Sequence, residues 1–140
     1  SDVPGLELLG TDAKNRLPIF SFLIRDRQGG HVHHQKVTRL LSDHYGIQAR
    51  GGCVCAGPYG HRLLHISEGE SCVLRDEILH GDESHKPGWV RLNLHYAMDE
   101  AAVETILSGV RDLAENWEER STFYDRDVEK EDFGGNRVLV

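Results

Sequence analysis

Two cysteines separated by one valine, Cys53 and Cys55, lie in a glycine-rich stretch and are the residues best suited to chemistry. Glycine permits positive φ angles and close approach to a ligand, so we expect residues 50–61 to form a loop that presents these thiols. Arg50 and His61 bring positive or ionisable charge, and a nearby cation favours the thiolate, the reactive form of cysteine. The stretch therefore predicts a reactive cysteine loop, against the commoner role of a free cysteine as a small buried hydrophobe.

Composition and charge limit the class of protein. The chain of 140 residues is long enough for one domain with a hydrophobic core. Its 23 acidic and 16 basic side chains give a net charge of -7, which argues against nucleic-acid or anionic-membrane partners. It has no apolar run of membrane-spanning length and no signal-peptide pattern at its N-terminus. Its 3 cysteines form no disulfide framework and favour a reducing cytoplasm.

Three stretches predict the strands that position this loop. Residues 17–24 are nearly all apolar and predict a strand buried on both faces, and residues 47–50 predict a short strand that leads into the loop. Residues 89–96 alternate, with Val90, Leu92 and Leu94 on one face and Trp89, Arg91, Asn93 and His95 on the other. The polar face of this last strand must point to water, to a ligand or to another domain.

Three helices are expected between and after these strands. The apolar spacing of residues 37–45 predicts one that ends at Gly46, and a capping box at residues 67–70 begins a second one. We expect its core stripe to contain Val73, Leu74 and Ile78, with Cys72 also in the core. A third helix is predicted from Asp99 to about residue 117.

The order of these elements predicts an α/β fold of the two-layer α+β type, with a small, mainly antiparallel sheet and helices on one face. We expect residues 1–16 to form a weakly structured N-terminal arm and residues 17–118 to form the domain. Residues 119–140 are expected to form a charged tail, whose residues 138–140 either add an edge strand or fray.

The segment Arg50-Gly51-Gly52-Cys53-Val54-Cys55-Ala56-Gly57-Pro58 resembles the catalytic loop of the cysteine desulfurases and selenocysteine lyases. Their longer motif reads Arg-Thr-Gly, two variable residues, then Cys-Ala-x-Pro. These enzymes belong to the class V aminotransferases, which are pyridoxal phosphate enzymes of fold type I. The strand that contains Arg91 is similar to the family strand whose arginine holds the substrate α-carboxylate. The resemblance covers roughly residues 16–118 and only the small C-terminal domain of such an enzyme.

The resemblance implies that Cys55 is the catalytic residue and that Arg91 and Asn93 bind the substrate, with weaker cofactor contacts from Arg50 and His61. It implies pyridoxal 5'-phosphate in the parent enzyme, held by a large domain that this chain does not contain. We therefore expect no cofactor and no activity in this chain alone. The other expected partners are a small amino-acid substrate and a second copy of the parent enzyme in a homodimer.

Two departures from the family pattern leave the reaction open among desulfuration, transamination and other cofactor chemistry. Cys53 occupies one of the two variable positions, and residues 57–61 differ from those of a typical desulfurase. The segment His85-Lys86-Pro87 contains a histidine before a lysine, but it stands where the family does not keep its cofactor lysine.

Two other classes of function fit the same residues. The polar face of the last strand can dock a partner protein, or Cys53 and Cys55 can form a redox pair or a metal site. A metal site is the weaker reading, because the pair lacks Cys-x-x-Cys spacing and no second pair exists. Two of the three histidines His31, His33 and His34 can share a metal, but no carboxylate partner is fixed nearby and a solvated helix entrance is the simpler expectation. No metal site is predicted.

Overall fold

The computed structural model describes residues 2–12, 15–52, 57–82 and 85–122. In this part of the chain the elements follow the order β1 (Leu6–Leu9), β2 (Ile19–Ile24), α1 (His34–Tyr45), β3 (Arg50–Gly52), α2 (Gly57–Leu63), α3 (Glu68–Leu79), β4 (Trp89–Asn93) and α4 (Glu100–Ser121). The strands form one 4-stranded sheet in the order β1-β2-β4-β3, and all neighbouring strands are antiparallel. The predicted α+β class is confirmed. Within these residues, no helix combines the length and the apolar character needed to cross a membrane.

The main core lies between one face of the sheet and the helices α1 and α4. Alternate residues of a strand point to opposite faces, and Phe22 and Ile24 of β2 join Val90 and Leu92 of β4 on the core face. The helices contribute the other fully buried side chains, which include Val37, Leu40, Leu41, Val110 and Leu113. The predicted alternation is therefore confirmed from Trp89 to Asn93, where β4 ends, three residues before the predicted end at residue 96. Leu94 packs partly buried against the same core.

The predicted helix ends follow from local capping. Gly46 ends α1 in the left-handed conformation, with φ 65°, and its N–H bonds the carbonyls of Leu41 and Ser42. The Asp99 side chain accepts a hydrogen bond of 2.7 Å from the N–H of Ala102 and begins α4. The first cap therefore fixes the end of α1, and the second fixes the start of α4.

The N-terminal arm contains an edge strand, so the expectation of weak structure for residues 1–16 is wrong. Strand β1 pairs with β2, with Leu6 opposite Ile24 and Leu9 opposite Ser21. Gly5 and Gly10, both at positive φ, bracket the strand. A strand of four residues between two glycines carries too little alternation to be distinguished from a loop.

Helix α3 forms as predicted, but its predicted core stripe is wrong. The side chain of Ser67 accepts a hydrogen bond from the Glu70 N–H, and the Glu70 carboxylate accepts one from the Ser67 N–H. None of the residues of α3 is buried, and Val73 is 59% exposed. Cys72 is exposed rather than in the core. The capping box stabilises this helix locally, without the burial of an apolar face.

The strand predicted at residues 47–50 begins later, at Arg50, and includes Gly51 and Gly52. The side chain of Ile47 enters the core instead. A Cβ atom on Gly51 would lie 2.9 Å from the backbone oxygen of His34, so glycine at this position lets β3 approach α1 closely. Helix α2, which follows, was not predicted because Gly57, Pro58 and Gly60 are residues typical of turns.

Candidate functional site

The second face of the sheet, opposite the main core, is divided into an apolar end and a polar end. Leu9, Leu23 and Trp89 form a small buried cluster, which Leu63 and Leu64 at the end of α2 cover. Part of this face therefore carries its own cover, in addition to the helices on the core side. Most of the remaining positions of the face are polar and belong to three neighbouring strands, with Ile19 as an exposed apolar exception.

Arg91 lies at the centre of this polar end. It is the register partner of Arg50 in β3 and of Ser21 in β2, so the three residues form one row across the sheet, which we call the arginine row. Directly opposed residues of antiparallel strands have Cβ atoms about 4.5–5.5 Å apart and point to the same side. Two guanidinium groups can therefore reach a single small ligand on this face.

The charges of the arginine row are not neutralised by the described part of the chain. Neither the Arg50 nor the Arg91 side chain has a hydrogen bond or an ion pair with a residue described there. Elsewhere arginines do find carboxylates, as in the pairs Arg25–Glu7 at 2.6 Å, Arg27–Glu118 at 2.8 Å and Arg120–Asp112 at 2.9 Å. Like charges directly opposite each other are destabilising, by about 0.2–1 kcal/mol in a typical cross-strand pair.

This arrangement is suited to an anion. A guanidinium is planar and presents N–H groups in a fork that matches a carboxylate or a phosphate with two parallel hydrogen bonds. Arg50 is exposed and Arg91 is half-buried, so a ligand can reach both side chains from solvent. A bound anion would also remove the repulsion between the two cations.

Two polar side chains accompany the arginines, Ser21 within the arginine row and Asn93 beside it. Asn93 is exposed and lies two residues after Arg91 on the same face, about 6.5–7 Å further along the strand. Ser21 was missed by the sequence analysis, which predicted that residues 17–24 are buried on both faces. That prediction is wrong, since Ser21 is half-buried and Ile19 is exposed on this face. A single serine in an apolar strand is the signal that indicates a polar position.

In comparisons with known proteins, no protein-family model and no curated protein sequence matches this chain. The assignment of a function therefore rests on the arginine row, on its neighbours and on the sequence of residues 50–58.

Of the predicted site residues, the structure brings Arg50, Arg91 and Asn93 together on one face of the sheet and leaves His61 apart from them. His61 is half-buried in α2, outside the ladder of strands that joins the two arginines. Cys53 and Cys55 lie outside the described residues, as do residues 138–140. The chain connects them closely all the same, because β3 contains Arg50 and its last residue, Gly52, directly precedes Cys53.

The histidines before α1 differ from the expected solvated helix entrance. His34 is only 4% exposed, and its ring lies on that of His33 with 4.2 Å between the ring centroids. A Cβ atom on Gly88 would lie 2.7 Å from two atoms of the His34 ring, so a glycine is needed beside it. Among the described residues, no group of three or more histidine, cysteine, aspartate or glutamate side chains is arranged to hold a metal ion.

Proposed function

We propose that this chain is the small domain of a pyridoxal phosphate enzyme of the class V aminotransferase type, in which Arg91 binds the α-carboxylate of an amino-acid substrate. The main support is the arginine row, in which two arginines occupy directly opposed strand positions and have no described counter-ion. Such a pair is costly to the fold and is useful when an anion binds it. The resemblance of residues 50–58 to a desulfurase loop points in the same direction.

Each residue of the face has a distinct role in this proposal. Arg91 holds the carboxylate with two parallel hydrogen bonds and so fixes the orientation of the substrate. Arg50 adds positive charge from the neighbouring strand, and the Asn93 amide can donate to or accept from a polar group of the substrate. Cys55 follows the last residue of β3 by three positions in the sequence, and its thiolate would act as the nucleophile that accepts sulfur if the reaction is desulfuration.

Pyridoxal phosphate, when bound in the parent enzyme, supplies the electron sink for chemistry at the α-carbon of the substrate. The arginine row fits the carboxylate of that substrate, and the described part of the chain offers no lysine on the same face. Lys86, the nearest lysine to β4 in sequence, belongs to the loop before that strand and lines a separate cavity. We therefore assign to this chain the binding of the substrate, and to a large domain the binding of the cofactor.

Exposed apolar side chains support contact with another domain. Val73 and Leu79 of α3 are 59% and 74% exposed, and Tyr59 of α2 is 58% exposed. Apolar surface of this kind suits an interface. The same surface also favours the second candidate, a binding module that docks a partner protein without catalysis. The two candidates differ at the arginine row, because only the enzyme requires it to hold a small carboxylate. A cytoplasmic, homodimeric parent enzyme completes the proposal.

Substrate-analogue binding to the full-length protein that contains this chain tests the proposal. The absorption spectrum of the bound cofactor would be followed while amino acids and their amides, which lack the carboxylate, are added. Loss of a charge-assisted pair worth about 1.5–3 kcal/mol should weaken amino-acid binding about 10- to 150-fold in Arg91→Gln. The control Arg111→Gln removes an exposed arginine of α4 and should leave binding unchanged.

Two outcomes would contradict the proposal. One is a full-length protein that binds no pyridoxal phosphate. The other is equal binding of amino acids and their amides, because this would show that the carboxylate is not recognised. If Arg91→Gln weakens the association with a partner protein instead, the second candidate is favoured.

A further inference from the structure

The arginine row has an inner end and an outer end. Across the sheet its order is Leu9 of β1, Ser21 of β2, Arg91 of β4 and Arg50 of β3. Leu9 is buried, Arg91 is half-buried, and Arg50 is exposed on the edge strand β3. The two arginines therefore offer a ligand two distinct positions, one at a half-buried strand and one at the exposed edge of the sheet.

The four described strands contain a single carboxylate, that of Glu7 in β1. It bonds Arg25 at 2.6 Å and His31 at 3.4 Å. Strands β1 and β3 are the two edges of the sheet, so Glu7 is separated from Arg50 by three strand spacings, or about 14 Å. Residues 53–56, which directly follow β3, contain no carboxylate in their sequence. The strands that form the row thus bring no negative charge to it.

One substrate carboxylate matches only one of the two arginines. A bidentate grip by Arg91 uses both oxygens of a carboxylate, and it neutralises one positive charge. The opposed positions of the two arginines have Cβ atoms about 4.5–5.5 Å apart, so the second cation stays close to the bound ligand. A second anionic group on the same ligand would pair with Arg50 and remove the remaining charge.

We propose that the arginine row selects a short acidic amino acid, of the aspartate class, with Arg91 on its α-carboxylate and Arg50 on its side-chain carboxylate. This inference rests on the proposed function, because it takes the α-carboxylate position from there, and it adds the class of substrate. An acidic side chain carries no sulfur. A substrate of this class therefore leaves transamination and other cofactor reactions, rather than desulfuration, among the open reactions.

Titration of the ¹⁵N-labelled chain with L-aspartate and with L-asparagine tests this proposal. The two amino acids have nearly the same size, and at neutral pH they differ by the charge of the side chain. The Kd would be taken from the Nε–Hε signal of Arg91 at constant ionic strength. Aspartate should bind about two- to fivefold more tightly than asparagine, which is the upper part of the range for one exposed charge pair.

The overall charge of the chain works against this preference. A net charge of -7 disfavours the more negative amino acid, so a preference for aspartate requires a local positive site. Added sodium chloride should reduce the ratio of the two Kd values, because Arg50 is exposed and its charge is screened.

Three variants assign the preference to Arg50. Arg50→Gln should weaken aspartate binding more than asparagine binding, so that the ratio of the two Kd values falls to about one. Arg50→Lys keeps the charge and should keep a preference for aspartate. Arg111→Gln is the matched control, because it removes one positive charge from an exposed position of α4, and it should leave the ratio unchanged.

Three results would overturn the proposal. Equal Kd values for aspartate and asparagine in the natural chain would remove the substrate class but leave the carboxylate site at Arg91. An Arg50→Gln variant that weakens both amino acids by the same factor would show that both arginines hold the α-carboxylate. If neither amino acid shifts the Arg91 signal, the proposed function fails together with this inference.

Discussion

Reversal of the charge at Arg91 should stabilise the domain, although Arg91 is the residue that we assign to substrate binding. Arg91→Glu places a carboxylate directly opposite Arg50 in β3, where the natural chain has two cations. Two unit charges about 6 Å apart in water interact with about 0.7 kcal/mol, and the change converts that repulsion into an attraction. Because Arg50 is exposed and both side chains lose conformational freedom on pairing, we expect a net gain in unfolding free energy of about 0.5–1 kcal/mol.

Urea denaturation at low and high sodium chloride concentration measures this gain and its electrostatic origin. Urea is uncharged, so it does not screen the pair as guanidinium chloride would. Salt should stabilise the natural chain relative to Arg91→Gln, because it screens the repulsion between the two arginines. Salt should destabilise Arg91→Glu relative to the same reference, because it screens the new attraction.

Arg111→Glu is the matched control, since it makes the same change in net charge at an exposed position of α4. It should not reproduce the gain. The reasoning would be refuted if Arg91→Glu lowered the unfolding free energy by more than about 1 kcal/mol, as expected for a residue required by the fold. It would also be refuted if the unfolding free energy depended on salt in the same way with arginine, glutamine or glutamate at position 91.

Three further predictions concern the rest of the domain. Leu92→Ala should lower the free energy of unfolding, measured by urea denaturation, by about 2–5 kcal/mol, because Leu92 is 6% exposed in the main core. A decrease of less than about 1 kcal/mol would contradict the strand register. Burial and the hydrogen bond that it donates to Asp112 raise the pKa of Tyr45 to about 12, so its stabilisation is complete below about pH 10 and is lost as the pH rises towards about 12. Tyr45→Phe should therefore cost about 1–2 kcal/mol at neutral pH, and an equal cost at high pH would contradict this. Substoichiometric iodoacetamide should label the exposed Cys72 in the native chain, but it should label Cys55 first if Arg50 favours the Cys55 thiolate. Mass spectrometry shows the order of labelling, and earlier labelling of Cys72 would argue against an activated Cys55.

The elements that the sequence predicts correctly have two signals that agree. Helix α1 has an apolar stripe and Gly46 at its end, and α4 has a longer stripe and Asp99 at its start. Strand β4 alternates through five residues, which is enough to separate a core face from a polar face. For these elements, local capping and tertiary burial favour the same structure.

The sequence-based predictions fail where only one of these signals is present, or where local pattern and tertiary burial disagree. Strand β1 is stabilised by its pairing with β2, the next strand, and this pairing leaves no pattern within β1 itself. The apolar residues of α3 predicted a core helix, but no described element packs closely over it, so its caps determine the helix and its surface stays exposed. The spacing of apolar residues along a helix does not reveal whether another element packs against them.

For the candidate site too, the local pattern predicts the position of a residue on its own strand but not its neighbours on other strands. Alternation in β4 is sufficient to put Arg91 on the polar face. The pairing of Arg91 with Arg50 depends on the strand order β2-β4-β3 and on a register that no single strand encodes.

Arginine side-chain N–H resonances of the ¹⁵N-labelled chain offer the most direct test of carboxylate binding at the arginine row. L-alanine and alaninamide, which lacks the carboxylate, would be added separately at constant ionic strength. The account predicts that alanine shifts the Nε–Hε signals of both Arg50 and Arg91, that alaninamide shifts neither, and that Arg91→Gln abolishes the response of Arg50. Equal shifts with both compounds, or a shift confined to arginines outside the arginine row, would contradict it.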